Sequence, residues 1–403
     1  MTYTKIKGDH MKAVFAHDHI FKEDIEGNYY TGACYNNTVW RRYLRNFDEL
    51  TVLARLDSKK VPLNNKYNKF KLNNLSFQPL PSLSGPVNIV KNRSRVKKVI
   101  YNELMKSDVL IARLPSEIGN LAIEMAKKLG KPYLIEVVGC VWDSLWNYGN
   151  LQAKVYAPIA FQRMKNIVKD AEYVIYVTND FLQKRYPTNG ITESISNVEI
   201  EEVDKQVLQK RIEKYSLNKK KPIVIGMIGS LQNKIKGLDI ALKALKELKK
   251  DNINFSFKVL GDGDSEEWLN FAKELNIEDR VEFCGVLPGG EPVLQWLDTI
   301  DLYIQPSYQE GLPRAVIEAM SRGCPVIGST AGGIPELINS NCLHKPGDFE
   351  TLAEIIKNIA TNTETMEALS KENFETSKRY KKTVLDTKRY EFIDSVLKEK
   401  KLL

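Results

Sequence analysis

Two glutamates and two lysines in this chain have the types and spacings to do chemistry on a charged, hydroxyl-rich molecule. Glu310 and Glu318 lie in Ser307-Tyr-Gln-Glu-Gly-Leu-Pro-Arg-Ala-Val-Ile-Glu-Ala-Met-Ser-Arg-Gly-Cys-Pro-Val-Ile-Gly328. A strand is expected to end at Pro306. The turn after it carries Glu310 and Gly311, and Pro313 has the fixed φ suited to a first helical position. The helix is expected to run from Arg314 to Arg322 and to stop at Gly323. Glu318 then lies about 7.5 Å along the helix axis from its start. Two carboxylates so spaced can grip different hydroxyl-bearing parts of one elongated ligand. The free amides of the helix start can meet a phosphate between the two. A single glutamate in such a place is more often a solvated carboxylate; the flanking glycines and prolines set this pair apart.

The lysines lie in Ile225-Gly-Met-Ile-Gly-Ser-Leu-Gln-Asn-Lys-Ile-Lys-Gly237, read as a strand, a loop and the entry to a helix over Leu238–Lys249. Gly229 lets the chain approach a ligand closely. Lys234 and Lys236 put ammonium groups beside a helix start, where anions are already favoured. A solvated lysine-rich loop is the plainer alternative. Gly261-Asp-Gly-Asp-Ser265 lacks the third glycine of a dinucleotide fingerprint, because Glu266 stands there, which disfavours a dehydrogenase. Its two aspartates read as turn formers rather than metal ligands.

The elements that must position these residues fall into two alternating strand–helix series. The first has strands at Lys12–Asp18, Leu50–Arg55, Val109–Arg113, Tyr133–Val138 and Tyr173–Thr178, with helices at Gly119–Leu129 and Ile159–Val168. The second has strands at Ile223–Ile228, Phe255–Leu260, Val281–Cys284, Leu302–Gln305 and Pro325–Gly328. Helices are expected between them at Leu238–Lys249, Glu266–Leu275, Pro292–Thr299, Arg314–Arg322 and Ile334–Ile338. Most strands are short continuous apolar runs, as in parallel sheets covered on both faces. Residues 63–83 receive no assignment. The polar stretch 190–221 is read as the junction, giving units at 1–205 and 206–382 and a helical tail at 383–403. The fold class is α/β, with two Rossmann-like doubly wound domains facing a central cleft.

The 403 residues fit two or three domains at ~100–200 residues each. With 43% hydrophobic and 27% charged residues, disorder throughout, collagen and a disulfide scaffold are excluded. No apolar run approaches the ~18 residues of a membrane span. The net charge of +8 is mild for this length. Cys34, Cys140, Cys284, Cys324 and Cys342 are scattered and read as reduced core residues of a cytoplasmic protein. The N-terminus lacks the apolar stretch of an export signal.

The 307–328 segment resembles the Glu-x7-Glu motif of the retaining glycosyltransferases of family 4, which have the GT-B fold. Gly323-x-Pro325-Val-Ile and Ala331-Gly-Gly-Ile-Pro-Glu336 match the usual continuation. The resemblance implies a hexose-type sugar moved from a nucleotide-sugar donor, with a UDP-sugar as the guess, to a polysaccharide, lipid-linked or other glycan acceptor. It implies that Glu310 contacts donor-sugar hydroxyls, that Glu318 binds the nucleotide ribose, and that the amides of Gly311 and Leu312 face the sugar and phosphates. Lys236-Gly237 matches the family's Lys-Gly pair, which neutralises the donor diphosphate; Lys236 and Glu310 are therefore the catalytic candidates. The family's common Gly-Arg has become Gly229-Ser230 here, and Lys234 is the candidate replacement for the missing guanidinium. Backbone near Gly285 and Val286 corresponds to the base-binding region. GT-B enzymes generally need no metal, so none is expected, and no cofactor.

In the first domain, Gly27 stands where the family has a glycine-rich loop. The family's common histidine is absent from Glu136-Val-Val-Gly-Cys-Val-Trp-Asp143, leaving Asp143 or Trp142 as sugar-side candidates. His17-Asp18-His19 is read as a strand terminus with the two rings pointing apart, rather than as a metal or acid–base cluster. The cations of Lys91-Asn-Arg-Ser-Arg-Val-Lys-Lys98 sit beside an apolar set of Val90, Val96, Val99, Ile100 and Leu104. That stretch reads either as a solvated helix face or as a basic amphipathic helix over 87–104 resting on anionic membrane. Nucleic-acid binding is not expected, because stacking aromatics are not interleaved with the cations. A sugar-nucleotide epimerase and a non-catalytic nucleotide-sugar-binding subunit are the alternatives.

Overall fold

The computed structural model describes residues 10–32, 35–57, 67–147, 150–198, 200–201, 204–217 and 222–402. Cys34, the N-terminal nine residues, the start of the unassigned 63–83 stretch and the 218–221 end of the junction lie outside them.

Among the described residues, the first sheet has seven parallel strands in the spatial order Leu75–Leu80, Glu49–Leu56, Lys12–Glu23, Val109–Leu114, Tyr133–Val137, Tyr173–Tyr176 and Ile191–Ser194. The short strands Tyr29–Thr31 and Asn68–Lys69 add an antiparallel flap to the far end of Lys12–Glu23. The second sheet is wholly parallel, in the order Val281–Phe283, Phe255–Leu260, Ile223–Ile228, Leu302–Gln305, Val326–Ser329 and Leu343–His344. All six residues of Val109–Leu114 are buried, which is what helices on both faces of a parallel sheet require. This is the fold class expected from the sequence.

Several elements differ from expectation. The first strand does not end at Asp18 but continues to Glu23, with a register irregularity between Ala16 and Ile20. The helix Leu151–Lys169 begins well before Ile159 and runs through Pro158. The stretch Ile334–Ile338 forms a single 3-10 turn over Ile334–Glu336. A strand, Leu75–Leu80, lies in the unassigned region. Inside the polar junction is a helix, Lys205–Leu217, whose Arg211 donates to the carbonyls of Leu297 and Arg322 at 2.9 and 3.0 Å. In the helix Pro86–Met105, Val96, Ile100 and Leu104 are buried but Val90 is 85% exposed, so the expected apolar face is narrower. Arg93 and Lys97 pair with Glu124 of the helix Glu117–Leu129 at 3.2 and 2.6 Å.

The last helix, Lys382–Glu399, packs on the first sheet's domain. Its Arg389 is buried and donates to Glu136 Oε1 at 2.8 Å. Tyr43 OH donates to the same carboxylate at 2.9 and 3.0 Å, and Arg113 Nε stands 3.5 Å away. Burial alone pushes the Glu136 carboxyl up, but the charges of Arg389 and Arg113 and the Tyr43 hydroxyl outweigh it and hold it below the usual range. Arg42 Nε pairs with Asp386 on the same helix at 3.1 Å.

Candidate functional site

The strand order of the second sheet reverses direction between Ile223–Ile228 and Leu302–Gln305. In open α/β sheets, the crevice beyond the carboxyl ends of the strands at such a switch point is where ligands bind. The loops that follow these two strands are the two singled out by their chemistry.

They are stitched to each other. Lys234–Lys236 forms a 3-10 turn whose start is capped by the Asn233 side chain. Gly237 closes it at φ 75°, and a Cβ there would lie 2.0 Å from the Pro306 carbonyl oxygen, so only glycine fits. Tyr308 N donates to Ile235 O at 2.8 Å, and its hydroxyl donates to Asp239 Oδ2 at 3.1 Å. The result is an ion pair of 2.7 Å between Lys236 Nζ and Glu310 Oε1. Glu310 is 8% exposed. Ser307 Oγ at 2.7 Å and Gln305 Nε2 at 3.2 Å donate to the same oxygen. Three donors thus hold this carboxylate at the mouth of the crevice in one orientation.

Pro313 is the N-cap residue rather than the first helical residue, and the helix spans Arg314–Ser321. Half-buried Glu318 lies on it. Burial raises the hydroxyl pKa of Tyr303 well above its ordinary value, and the charges of Glu310 and Glu318 both add to the rise. The two carboxylates therefore act on one phenol. Lys234 is exposed on its turn, and it is Lys236 that the fold brings to Glu310. Ser230 donates to Asp262 O at 3.3 Å. Gly285 accepts from Gly261 N at 2.7 Å, and Val286 beside it is exposed. These loops all lie at the carboxyl edge of the second sheet. Asp264 accepts from Glu266 N at 2.9 Å, the turn-forming role expected of it.

The motif loop also meets the first domain. A Cβ on Gly311 would lie 2.4 Å from Val138 O, and Gln309 Nε2 donates to Ser144 Oγ at 2.7 Å. Gly311→Ala is expected to wedge the cleft open by several tenths of an ångström or more. Activity should then fall at least tenfold with little change in melting temperature, as steady-state kinetics and a melting curve will check; unchanged kinetics would count against the close approach.

Ser144, rather than Asp143, is thus the residue opposite the motif loop. Asp143 is tied to Arg185 at 2.9 Å, and Trp142 stacks on Trp146 with ring centroids 5.5 Å apart. Gly27 sits in the turn of the antiparallel flap, where a Cβ would meet only Glu23 Oε1. His17 and His19 do not point apart: both rings flank Tyr35, at 6.0 and 4.4 Å, because residues two apart share a strand face. Asp18 between them accepts from Glu117 N and Ile118 N at 2.7 and 3.2 Å.

Burial, with the charge of Arg113, holds His17 down at about 3, and burial with Arg55 and Arg113 holds His19 at about 4. The unfolded rings protonate near 6.5. Between those values the unfolded chain binds more protons, so stability is complete above about pH 6.5 and falls as the pH drops towards 4. At pH 5 each ring accounts for a loss of roughly 2 kcal/mol. Urea midpoints at pH 7.5, 6 and 5 should show this slope, and His17→Asn should flatten it. Identical slopes in the two proteins would disprove the assignment.

Sequence reasoning missed the supports. Gln305 and Ser307 are polar at the end of a fully buried strand, and Arg113 and Glu136 are charged inside apolar strands. Buried polar and charged groups of that kind need partners, and that was the available signal.

Residues 209–376 match the family described as Glycosyl transferases group 1. Over 395 residues the chain is 31% identical to protein CapJ of Staphylococcus aureus, covering 93% of this chain and 97% of that one. It is 36% identical over 149 residues to the amylovoran biosynthesis glycosyltransferase AmsK of Erwinia amylovora, covering 34% and 36%. Among solved structures, sucrose-phosphate synthase from Thermosynechococcus elongatus superposes with a TM-score of 0.68 at 15% identity, covering 97% of this chain and all of that one. HepE of Anabaena, solved with UDP-glucose, superposes with 0.65 at 18% identity, covering 96% and 100%. The architecture is GT-B, and the chain belongs to the group 1 glycosyl transferases.

Proposed function

We propose that this protein is a retaining, metal-independent hexosyltransferase of family 4 that uses a nucleotide-sugar donor and a polysaccharide or lipid-linked acceptor. The observation that carries the reading is the 2.7 Å pair between Lys236 and Glu310, which joins the two switch-point loops. Donor cleavage develops positive charge on the sugar and negative charge on the diphosphate. Lys236 and the amides of Gly311 and Leu312 offset the second. Glu310 positions the sugar and shields the first, while Glu318 takes the ribose. Lys234, Ser230, Gly229 and Gly237 line the diphosphate, and the backbone at Gly285 and Val286 receives the base. Attack is on the front face: the acceptor oxygen bonds to the anomeric carbon, the carbon–phosphate oxygen bond breaks, and the acceptor proton passes to the leaving phosphate.

The unit 206–382 holds the donor, 1–205 shapes the acceptor site, and the helix of 383–403 crosses back to the first domain. UDP-sugar is the proposed donor, since HepE with the same architecture was solved with UDP-glucose. Surface-polysaccharide assembly is the proposed setting, in line with AmsK, an amylovoran biosynthesis glycosyltransferase, and WcaL, a putative colanic acid biosynthesis glycosyltransferase of Escherichia coli. A panel of nucleotide sugars assayed for nucleotide release tests the reading. Release that depends on an acceptor pool is expected. Conversion without acceptor would mean an epimerase, and binding without turnover a non-catalytic subunit.

The protein is proposed to work in the cytoplasm at the inner face of the membrane. Among the described residues no helix is long and apolar enough to cross one. Exposed Val87 and Val90 lie beside Lys91, Arg95 and Lys98 on the helix Pro86–Met105, a fit to anionic lipid. Sedimentation with phosphatidylglycerol vesicles but not phosphatidylcholine vesicles is expected. The Lys91→Glu, Lys98→Glu double variant should weaken it about tenfold; equal binding to both vesicles would refute the contact.

A further inference from the structure

The glutamate that ends Ala331-Gly-Gly-Ile-Pro-Glu336 belongs to the second domain, but its side chain binds the first. Glu336 Oε2 accepts from Asn179 N at 2.5 Å, and Oε1 accepts from Phe181 N and Asp180 N at 2.7 and 3.2 Å. These amides open the short helix Phe181–Arg185. Asp180 stands at its N-cap, where an aspartate ordinarily accepts from the helix amides. Here its side chain makes no cap and pairs with Lys184 at 2.6 Å. A capping carboxylate is thus present in the first domain, and the amides take one from the second domain instead. Bonds from amides to an ionised carboxylate are the stronger kind.

The other end of the same segment reaches the motif loop. Ile334 is fully buried and pins the 3-10 turn Ile334–Glu336 in the second domain. Gly333 N donates to Gly311 O at 2.7 Å. A Cβ on Gly332 would lie 2.2 Å from Glu310 O, and one on Gly333 would lie 2.9 Å from both Gly311 O and Thr178 Cγ2. Gly333 is therefore wedged between the loop that carries Glu310 and the residue that precedes Asn179. A cavity of about 210 Å³ opens beside this junction. Tyr35, Arg42, Arg113 and Val177 line it from the first domain, and Leu312 lines it from the motif loop. Val177 precedes Thr178 and Leu312 follows Gly311. The width of the cavity is thus set by what holds those two neighbours of Gly333 in register.

We propose that Glu336 is a positioning residue for the transfer. By clasping the amides of residues 179–181 it fixes the motif loop against the first domain, and so sets the distance across which the acceptor meets the sugar. This rests on the reading of the chain as a transferase with its donor in the second domain and its acceptor in the first. Glu336 acts through the loop and touches neither substrate. Reach matters steeply here, because a misplacement of about 1 Å between reacting groups costs roughly 100-fold in rate.

The test compares the full-length protein with Glu336→Ala and Glu336→Gln, and melting curves confirm that both variants are folded. Hydrogen exchange read by mass spectrometry needs no knowledge of the acceptor. Peptides covering 177–182 in the first domain and 307–313 in the second should both exchange about tenfold faster or more in Glu336→Ala. Glu336→Gln keeps one acceptor oxygen of the two and should give a smaller change in the same peptides. UDP, GDP and ADP are titrated by calorimetry. The nucleotide that binds the unaltered protein should bind both variants equally well, because Lys236, Glu310 and Glu318 are untouched. With the matching nucleotide sugar and an acceptor pool, kcat should fall about tenfold or more in Glu336→Ala while the donor KM stays put. Glu336→Gln should recover part of that rate. If 177–182 loosens and 307–313 does not, if nucleotide affinity falls as far as kcat, or if only the melting temperature moves, the proposal is overturned while the donor reading stands. If none of the three nucleotides binds the unaltered protein, the donor reading is what fails, and the exchange of 307–313 still decides whether Glu336 holds the loop.

Discussion

Under the donor role proposed for Lys236, Lys236→Ala is expected to lower glycosyl transfer about 100-fold or more, with the fold intact. Lys236 is half-buried on its 3-10 turn, and its ammonium is held 2.7 Å from Glu310 before any ligand arrives. A positive charge fixed in place costs no reorganisation when the diphosphate leaves, and removing one preorganised contact of this type costs ~2.7–4 kcal/mol of transition-state stabilisation. Glu310 keeps Ser307 and Gln305 as donors, so the loop is not expected to collapse. The discriminating result is in the kinetics: kcat falls far more than donor affinity. Lys236→Arg should recover only part of the rate, since a fork replaces a point charge. Turnover close to that of the unaltered protein would refute the role.

Arg389→Ala is expected to destabilise the protein by about 3–5 kcal/mol, the cost of breaking a buried pair from one side. Arg389 is 1% exposed, and its partner Glu136 has no route to water that would relieve an unpaired charge. Tyr43 and Arg113 still contact the carboxylate, which places the loss nearer the lower figure. Urea unfolding followed by far-UV circular dichroism gives the value. The double variant Arg389→Met with Glu136→Gln should lose as much or more, because buried Arg113 is then left without the carboxylate it shares with Arg389. A loss below about 1 kcal/mol in Arg389→Ala would show the pair to be dispensable.

The architecture was legible because parallel strands buried on both faces leave uninterrupted apolar runs. Ile223–Ile228, Phe255–Leu260 and Leu302–Gln305 fall where their sequences put them. The helix Lys205–Leu217 was hidden because what anchors it is polar: Arg211 and Tyr215 reach backbone carbonyls, and little apolar periodicity remains to be seen. Glu310 and Lys236 were legible from their neighbours, since glycine and proline mark the turns. Tyr35, Arg42 and Arg113 were not, because they come from separate segments and meet only through the pairing of Lys12–Glu23 with Val109–Leu114. The first strand's extension past Asp18 escaped notice because a register irregularity breaks its alternation.

The polypeptide leaves its first domain near Ile200 and re-enters it near Lys381, and these two crossings run side by side: Ile200 bridges Lys381, and Lys382 N donates to Ile200 O at 2.7 Å. Glu336 sits close by, accepting from the amides of Asn179 and Phe181 at 2.5 and 2.7 Å. Both crossings thus share one pivot. Gly333, whose amide donates to Gly311 O at 2.7 Å, ties the motif loop to this same pivot, since a Cβ on Gly333 would also lie 2.9 Å from Thr178. The motif loop is therefore anchored where the two crossings meet, and whatever holds the crossings together also holds the loop against the first domain.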